Sequence, residues 1–182
     1  MALCDILLSA DIMAQCEDPF FGGYKQTGYI INKDDIADYS IEDALVTLMT
    51  LKEGAKIYKI QSTGTQPTAT TQTFVRGTYY NKWNNVVNIA VVDHGVNVLN
   101  TIIRPMQSGA KFVVVLQHEH GGNYEVFGLA KGLQLQDGAS REEYNEDLNG
   151  GWNLPLEEKG APMPSYFFED NTTFEDLLTP EA

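Results

Sequence analysis

Lys111-Phe-Val-Val-Val-Leu-Gln-His118, then Glu119-His120-Gly121-Gly122-Asn123, then Tyr124-Glu-Val-Phe-Gly-Leu-Ala-Lys-Gly-Leu133 is the stretch on which the fold turns. The first run is β-branched and of strand length. His120 to Asn123 is turn chemistry. Hydrophobic residues resume from Tyr124 to Leu135, broken by Gly128 and Gly132, so the two runs read as a hairpin. Just upstream, Val96, Leu99, Ile102, Ile103 and Met106 recur at helical spacing. They predict a short helix over 94–107, capped by Asp93 and ended by Gly109, with a kinked or loosened last turn at Pro105. Leu99 sits in the middle of that apolar stripe and is expected in the core. A helix packed on a hairpin is a nucleus that other strands can join, and it contains no obvious reaction chemistry.

Working outward toward the N-terminus, Trp83 to Val92 reads as a strand, and so does Phe74 to Tyr80. Between Gln61 and Thr73 the chain is Thr-, Gln- and Ser-rich, with no residue large enough to anchor a core. It is expected as a long loop. Residues 41–51 favour a strand through Val46, Thr47 and Thr50, although Ser40 with Asp43 resembles a helix-capping pair. Lys52-Glu53-Gly54 reads as a hairpin turn into Ala55–Ile60. Tyr24 to Asn32 is a strand ended by Lys33-Asp34-Asp35-Ile36, and residues 1–18 read either as a short helix, with Leu3, Ile6, Leu7 and Met13 roughly on one side, or as an N-terminal arm that packs on a neighbour. Toward the C-terminus, 136–151 is polar loop and Trp152–Leu156 is a late strand, placed at a sheet edge by Pro155. Residues 169–182 form an acidic tail with Phe174, Leu177 and Leu178 as its anchors. The fold class is therefore mainly β: one domain over 19–168, a sandwich or barrel of seven or eight strands with one flanking α-helix and extended arms.

The 182 residues carry 12 Lys+Arg against 25 Asp+Glu, a net charge of −13. Such a surface repels nucleic-acid phosphates rather than binding them. The excess is concentrated late: from Asp137 onward there are 12 acidic and 2 basic residues, Arg141 and Lys159. Cys4 and Cys16 have no CxxC spacing and no nearby histidine, which argues against zinc. They read as reduced thiols, with a disulfide the weaker alternative. Asp5 and Asp11 interrupt the first apolar run and no basic region precedes it, so it does not read as a signal peptide. No run of about 18 apolar residues occurs, so a soluble protein is expected.

One metal pattern needs testing. His118-Glu-His120, four residues, Glu125, six residues, Gly132 fits the second part of the first cupin motif, and a cupin-like metal-binding protein using His118, His120 and Glu125 is the alternative reading. Alternate histidines on a strand point the same way, and a carboxylate on the next strand can complete a metal shell. Against it, Phe112 stands where the motif's opening glycine belongs, and no histidine follows His120. The competing reading makes His118 and His120 ordinary polar residues beside an exposed turn. No GxSxG or HExxH occurs, and no cysteine lies near a histidine. The pairs Glu142-Glu143 and Glu157-Glu158 read as solvated faces. No catalytic residue, cofactor or metal is expected.

The order of elements resembles phage tail-tube-like proteins: strands, a helix near the middle, the hairpin Phe112–Gln117 and Tyr124–Leu133, then Asn149-Gly150-Gly151-Trp152-Asn153-Leu154. Gly23-Tyr24 to Asn32-Lys33-Asp34-Asp35-Ile36, and Tyr124 to Leu133 followed by the late strand, are similar to virion proteins of Bacteroidetes phages, including crAss-like ones. The resemblance spans roughly 20–170 and leaves both termini unexplained. It implies a structural subunit, without catalysis, packed into homo-oligomeric rings, hexameric or dodecameric, in a tail or neck channel. Its partners would be other tail and neck proteins of the virion, assembled in the host cytoplasm, with DNA only in passage and no membrane. In such a conduit, Glu142, Glu143, Glu146 and Asp147 are candidates to face the lumen.

Overall fold

The chain is described here by a computed structural model, over residues 23–61, 68–93, 95–141 and 151–178. Its centre is β7 (Phe112–His118), buried on both faces as its unbroken apolar run requires. It pairs antiparallel with β8 (Tyr124–Phe127) on one side and β1 (Tyr24–Asn32) on the other. Alternation along β7 divides its side chains. Val113 and Val115 join one core, and Phe112, Val114 and Leu116 join another. β8 ends where Gly128 takes a φ of +81°, and a Cβ there would lie 2.7 Å from the Phe112 carbonyl oxygen. Only glycine fits that approach.

The larger sheet runs β2-β3-β12-β8-β7-β1-β4. β2 is Ile36–Glu42, β3 is Leu45–Leu51, β4 is Ile57–Gln61 and β12 is Tyr166–Phe168. Residues 24–61 form one long bent ribbon. Tyr29 lies opposite Lys59 in one arm and Tyr39 opposite Met49 in the other, and the second arm shifts register between Ile36 and Asp38 and between Ser40 and Ile41. The true hairpin turn is Asp43-Ala44, with Asp43 at a φ of +56°. The expected hairpin at Lys52–Gly54 is instead the outer corner of the ribbon. The inner corner is the 3-10 turn Lys33–Asp35, held by the Asn32 amide on Asp35 at 2.8 Å. Because the bend carries β3 to β12 and leaves β1 on β7, the large sheet wraps a core of its own, with Ile31, Val46, Met49, Val126 and Phe168 inside. The C-terminal segment closes that core. Helix α2 (Asn171–Leu178) puts Phe174 inside at 0 % exposure, with Leu177 and Leu178 packed beside it.

The smaller sheet runs β10-β11-β6-β5, with β9 also on β11. β5 is Thr68–Val75, β6 is Lys82–Val91, β9 is Gln134–Leu135, β10 is Ser140–Arg141 and β11 is Trp152–Ala161. The second core lies between the sheets, with Ile60, Val87, Ile89, Phe127, Leu154 and Leu156. The chain is thus mainly β, in two sheets with a sandwich-like arrangement.

Three strand expectations need correction. The expected loop 61–73 becomes strand from Thr68 onward. An edge strand paired on one side needs β-branched residues more than apolar ones, and Thr68 points inward at 2 % exposure. The strand expected to run to Tyr80 stops at Val75, and Tyr79 stands almost wholly in solvent at 96 % exposure. The late strand is not an edge. β11 is ten residues long and flanked by β6 on one side and β9 and β10 on the other. Pro155 is tolerated because its carbonyl accepts from Gln136 N at 3.0 Å, so its nitrogen faces the β9 side, in the gap between β10 and β9.

Helix α1 runs from Val96–Val98 through a π-helical turn, Leu99–Ile103, into Arg104–Gln107. Pro105 lacks the N–H that would bond Thr101, and the ladder answers with a wider turn, Arg104 N–H donating to Leu99 O. That turn keeps Val98, Ile102 and Met106 on the inner face and leaves Leu99 out at 37 % exposure. The apolar-stripe reading of Leu99 is therefore corrected. Asp93 does not cap the helix either: its Oδ1 takes Gly95 N–H at 3.0 Å, and Gly95 is the N-cap. Met106→Ala is expected to cost about 2–5 kcal/mol and Leu99→Ala about 1 kcal/mol or less. Denaturant melts of the two variants check the assignment, and the reverse order would refute it.

Candidate functional site

The sequence puts one carboxylate in an apolar strand, Tyr124-Glu125-Val126-Phe127, and alternation turns it away from the first core. Glu125 is buried, and three donors converge on it. Tyr24 OH donates to Oε2 at 2.8 Å, His118 Nε2 lies 2.8 Å from the same oxygen, and Ser165 Oγ donates to Oε1 at 2.5 Å. Tyr24 OH also lies 3.2 Å from Thr70 Oγ1 on β5, so the cluster bridges the two sheets. The His118 ring is fixed by Tyr24 at 4.8 Å between centroids and by Phe167, stacked at 5.7 Å. A carboxylate that leaves water needs hydrogen bonds in place of its hydration, and Glu125 has three, two at Oε2 and one at Oε1.

His118 and Glu125 thus do meet, as alternate-strand reasoning expects, and His118 is more than a turn-flanking residue. His120 lies exposed in the turn and does not join them. Among the described residues no group of three His, Cys, Asp or Glu side chains converges as a metal shell would, so the cupin-like triad of His118, His120 and Glu125 does not assemble. Nor do Ser165, His118 and Glu125 form a nucleophile relay, since serine and histidine each bind the carboxylate and not one another. Tyr24 and Ser165 escaped the sequence reading because they lie far from Glu125 in the chain. A lone glutamate inside an apolar strand was the available signal.

Glu158 is a second correction. The Glu157-Glu158 pair is not a solvated face: Glu158 is 3 % exposed, accepting Lys131 N–H at 2.6 Å and the Asn85 amide at 3.2 Å. Lys33 is attracted to it and donates to the Leu129 carbonyl, but burial lowers its pKa below the ordinary lysine value. Burial raises the hydroxyls of Tyr24, Tyr124 and Tyr166 above the ordinary 10.0. A raised tyrosine holds its proton more tightly folded than unfolded. The stability this gives is whole below pH 10.0 and is lost as pH climbs toward the folded values. Lys33 acts in the opposite sense, since its lowered value makes folding less costly as pH rises toward 10.5. Three groups oppose one, and the tyrosine loss begins only above the unfolded value of 10.0, so stability should fall as the pH rises past 10. Tyr24→Phe should flatten the fall in melts above that pH, and an unchanged slope would mean that Tyr24 is solvated.

An apolar groove of about 790 Å³ lies between the β4 edge, the end of β6 and helix α1. Tyr58, Ile60, Val91, Val92, Ile102 and Met106 line it. Beyond the groove, each sheet ends in a strand with one partner only among the described residues: β4 beside β1, and β5 beside β6. These two edges are consecutive in the chain, and they carry exposed Tyr58 and Phe74. His94, Cys4, Cys16 and the acidic candidates Glu142, Glu143, Glu146 and Asp147 lie outside the described residues, as do the arm 1–18 and residues 62–67. No helix among the described residues is long and apolar enough to cross a membrane. No protein-family model, no curated protein and no solved structure matches this chain.

Proposed function

We propose that this chain is a structural subunit that joins edge to edge with copies of itself into rings, forming part of a phage tail or neck channel through which DNA passes, without catalysis. The observation that carries the reading is the pair of open edges, β4 and β5, with exposed aromatic residues on both. An unpaired strand presents a row of free N–H and C=O groups, a template for another chain's strand. Proteins that stay monomeric blunt such edges with charges, and here exposed Tyr58 stands on β4 beside Lys59 and exposed Phe74 stands on β5. Head-to-tail contacts of this kind close into rings when the rotation between copies permits. A charge of −13 suits a conduit, since a wall that repels phosphates does not trap DNA.

Light scattering and negative-stain images of the purified protein test the reading. Rings or tubes are expected, and their order of symmetry can be counted directly. A chain that remains monomeric at high concentration, alone and with virion partners, would sink it. Tyr58→Lys combined with Phe74→Lys should raise the concentration needed for assembly about tenfold, or about 1.4 kcal/mol, while leaving the monomer's melt unchanged.

A further inference from the structure

We propose that the apolar groove beside β4 receives the N-terminal segment Ala2–Met13 of a second copy of this chain. The inference rests on the assembly reading above and names the contact that would join one copy to the next. Of the nine large hydrophobic residues exposed among the described residues, two line the groove, Tyr58 and Val92, beside the half-buried Ile102 and Val91. Covering them would remove a concentrated apolar patch from water. The floor, Ile60, Met106 and Phe112, is already buried, so the groove is preformed.

The occupant follows from the chain itself. Ala2–Met13 holds Leu3, Ile6, Leu7, Leu8, Ile12 and Met13, with Asp5 and Asp11 as its only charges. No other segment outside the described residues is comparably apolar. The chain enters the fold at Tyr24, at the end of the large sheet where Thr27 lies opposite Gln61, and Gln61 borders the groove. The nine residues 14–22 span at most about 30 Å when extended, enough to reach an adjoining copy. Segment and groove are different surfaces of one chain, so each copy gives one arm and receives one. That is the heterologous contact a ring needs.

Cys4 supplies the probe. In the variant Cys16→Ser with Val92→Cys, one thiol sits in the segment and one on the groove rim, where Val92 is largely exposed. Mild oxidation of the assembled protein should give a ladder of disulfide-linked multimers on a non-reducing gel, collapsing on reduction. Linking should be roughly tenfold or more faster than with Tyr79→Cys in place of Val92→Cys, because docking raises the local thiol concentration. Equal rates for the two would overturn the inference, as would a link within single chains. Rings that form normally without any ladder would overturn it too, and would leave the assembly reading standing. A protein that forms no rings at all would remove both.

Discussion

Phe174→Ala is expected to lower the unfolding free energy by about 3–5 kcal/mol, in the range of fully buried aromatic truncations. The ring is wholly inaccessible and packs against Tyr29, Tyr124 and Phe168 at centroid distances of 5.2, 4.9 and 5.1 Å. These neighbours come from β1, β8 and β12, which enclose the cavity such a truncation would leave. For a domain of this size the melting temperature should drop by roughly 6–20 °C. Calorimetry or a denaturant series measures it. A loss below about 1 kcal/mol, typical of average sites rather than deep core, would mean that the C-terminal helix is not seated in the core in solution.

Glu125→Ala should cost about 2–5 kcal/mol by a different route. The truncation strands the Tyr24 hydroxyl, the Ser165 hydroxyl and the His118 ring around an apolar hole, each having given its hydrogen bond to the missing carboxylate. Glu125→Gln keeps the shape and one acceptor but turns an amide donor toward donors, so its cost should fall between wild type and the alanine variant. Equilibrium unfolding of the two variants tests the order. A glutamine variant less stable than the alanine one would mean that charge-free packing, rather than lost acceptors, sets the energy. An alanine variant as stable as wild type would mean that water already fills the site.

What was legible in the sequence was whatever the local pattern determines. β1 and β7 and the span of α1 follow from apolar runs of strand length and from helical spacing. The second half of the hairpin follows from its glycines. What was not legible depends on partners. Glu158 looks like surface until Asn85 and the Lys131 N–H are brought to it by β6 and by the loop after β8. Pro155 looks like an edge marker until the gap between β10 and β9 appears opposite it. Thr68–Thr73 looks like loop because an edge strand needs little apolar content. Leu99 looked like core because a regular helix was assumed, and the π turn ahead of Pro105 rotates it outward. At the polar cluster the sequence singled out His118 and Glu125 but paired them with His120, which alternation allows and the turn prevents.

β7 has a consequence for how the molecule comes apart. Its alternate side chains belong to two cores, one wrapped by the large sheet and one between the sheets. Neither core can lose its packing without withdrawing support from the strand that the other also needs. The two sheets should therefore melt together, in one cooperative transition with coincident signals from Trp83 and Trp152 fluorescence and from backbone circular dichroism. The amides of Val113 to Leu116 should exchange with solvent only when the whole chain opens, which makes them the slowest probes in the protein.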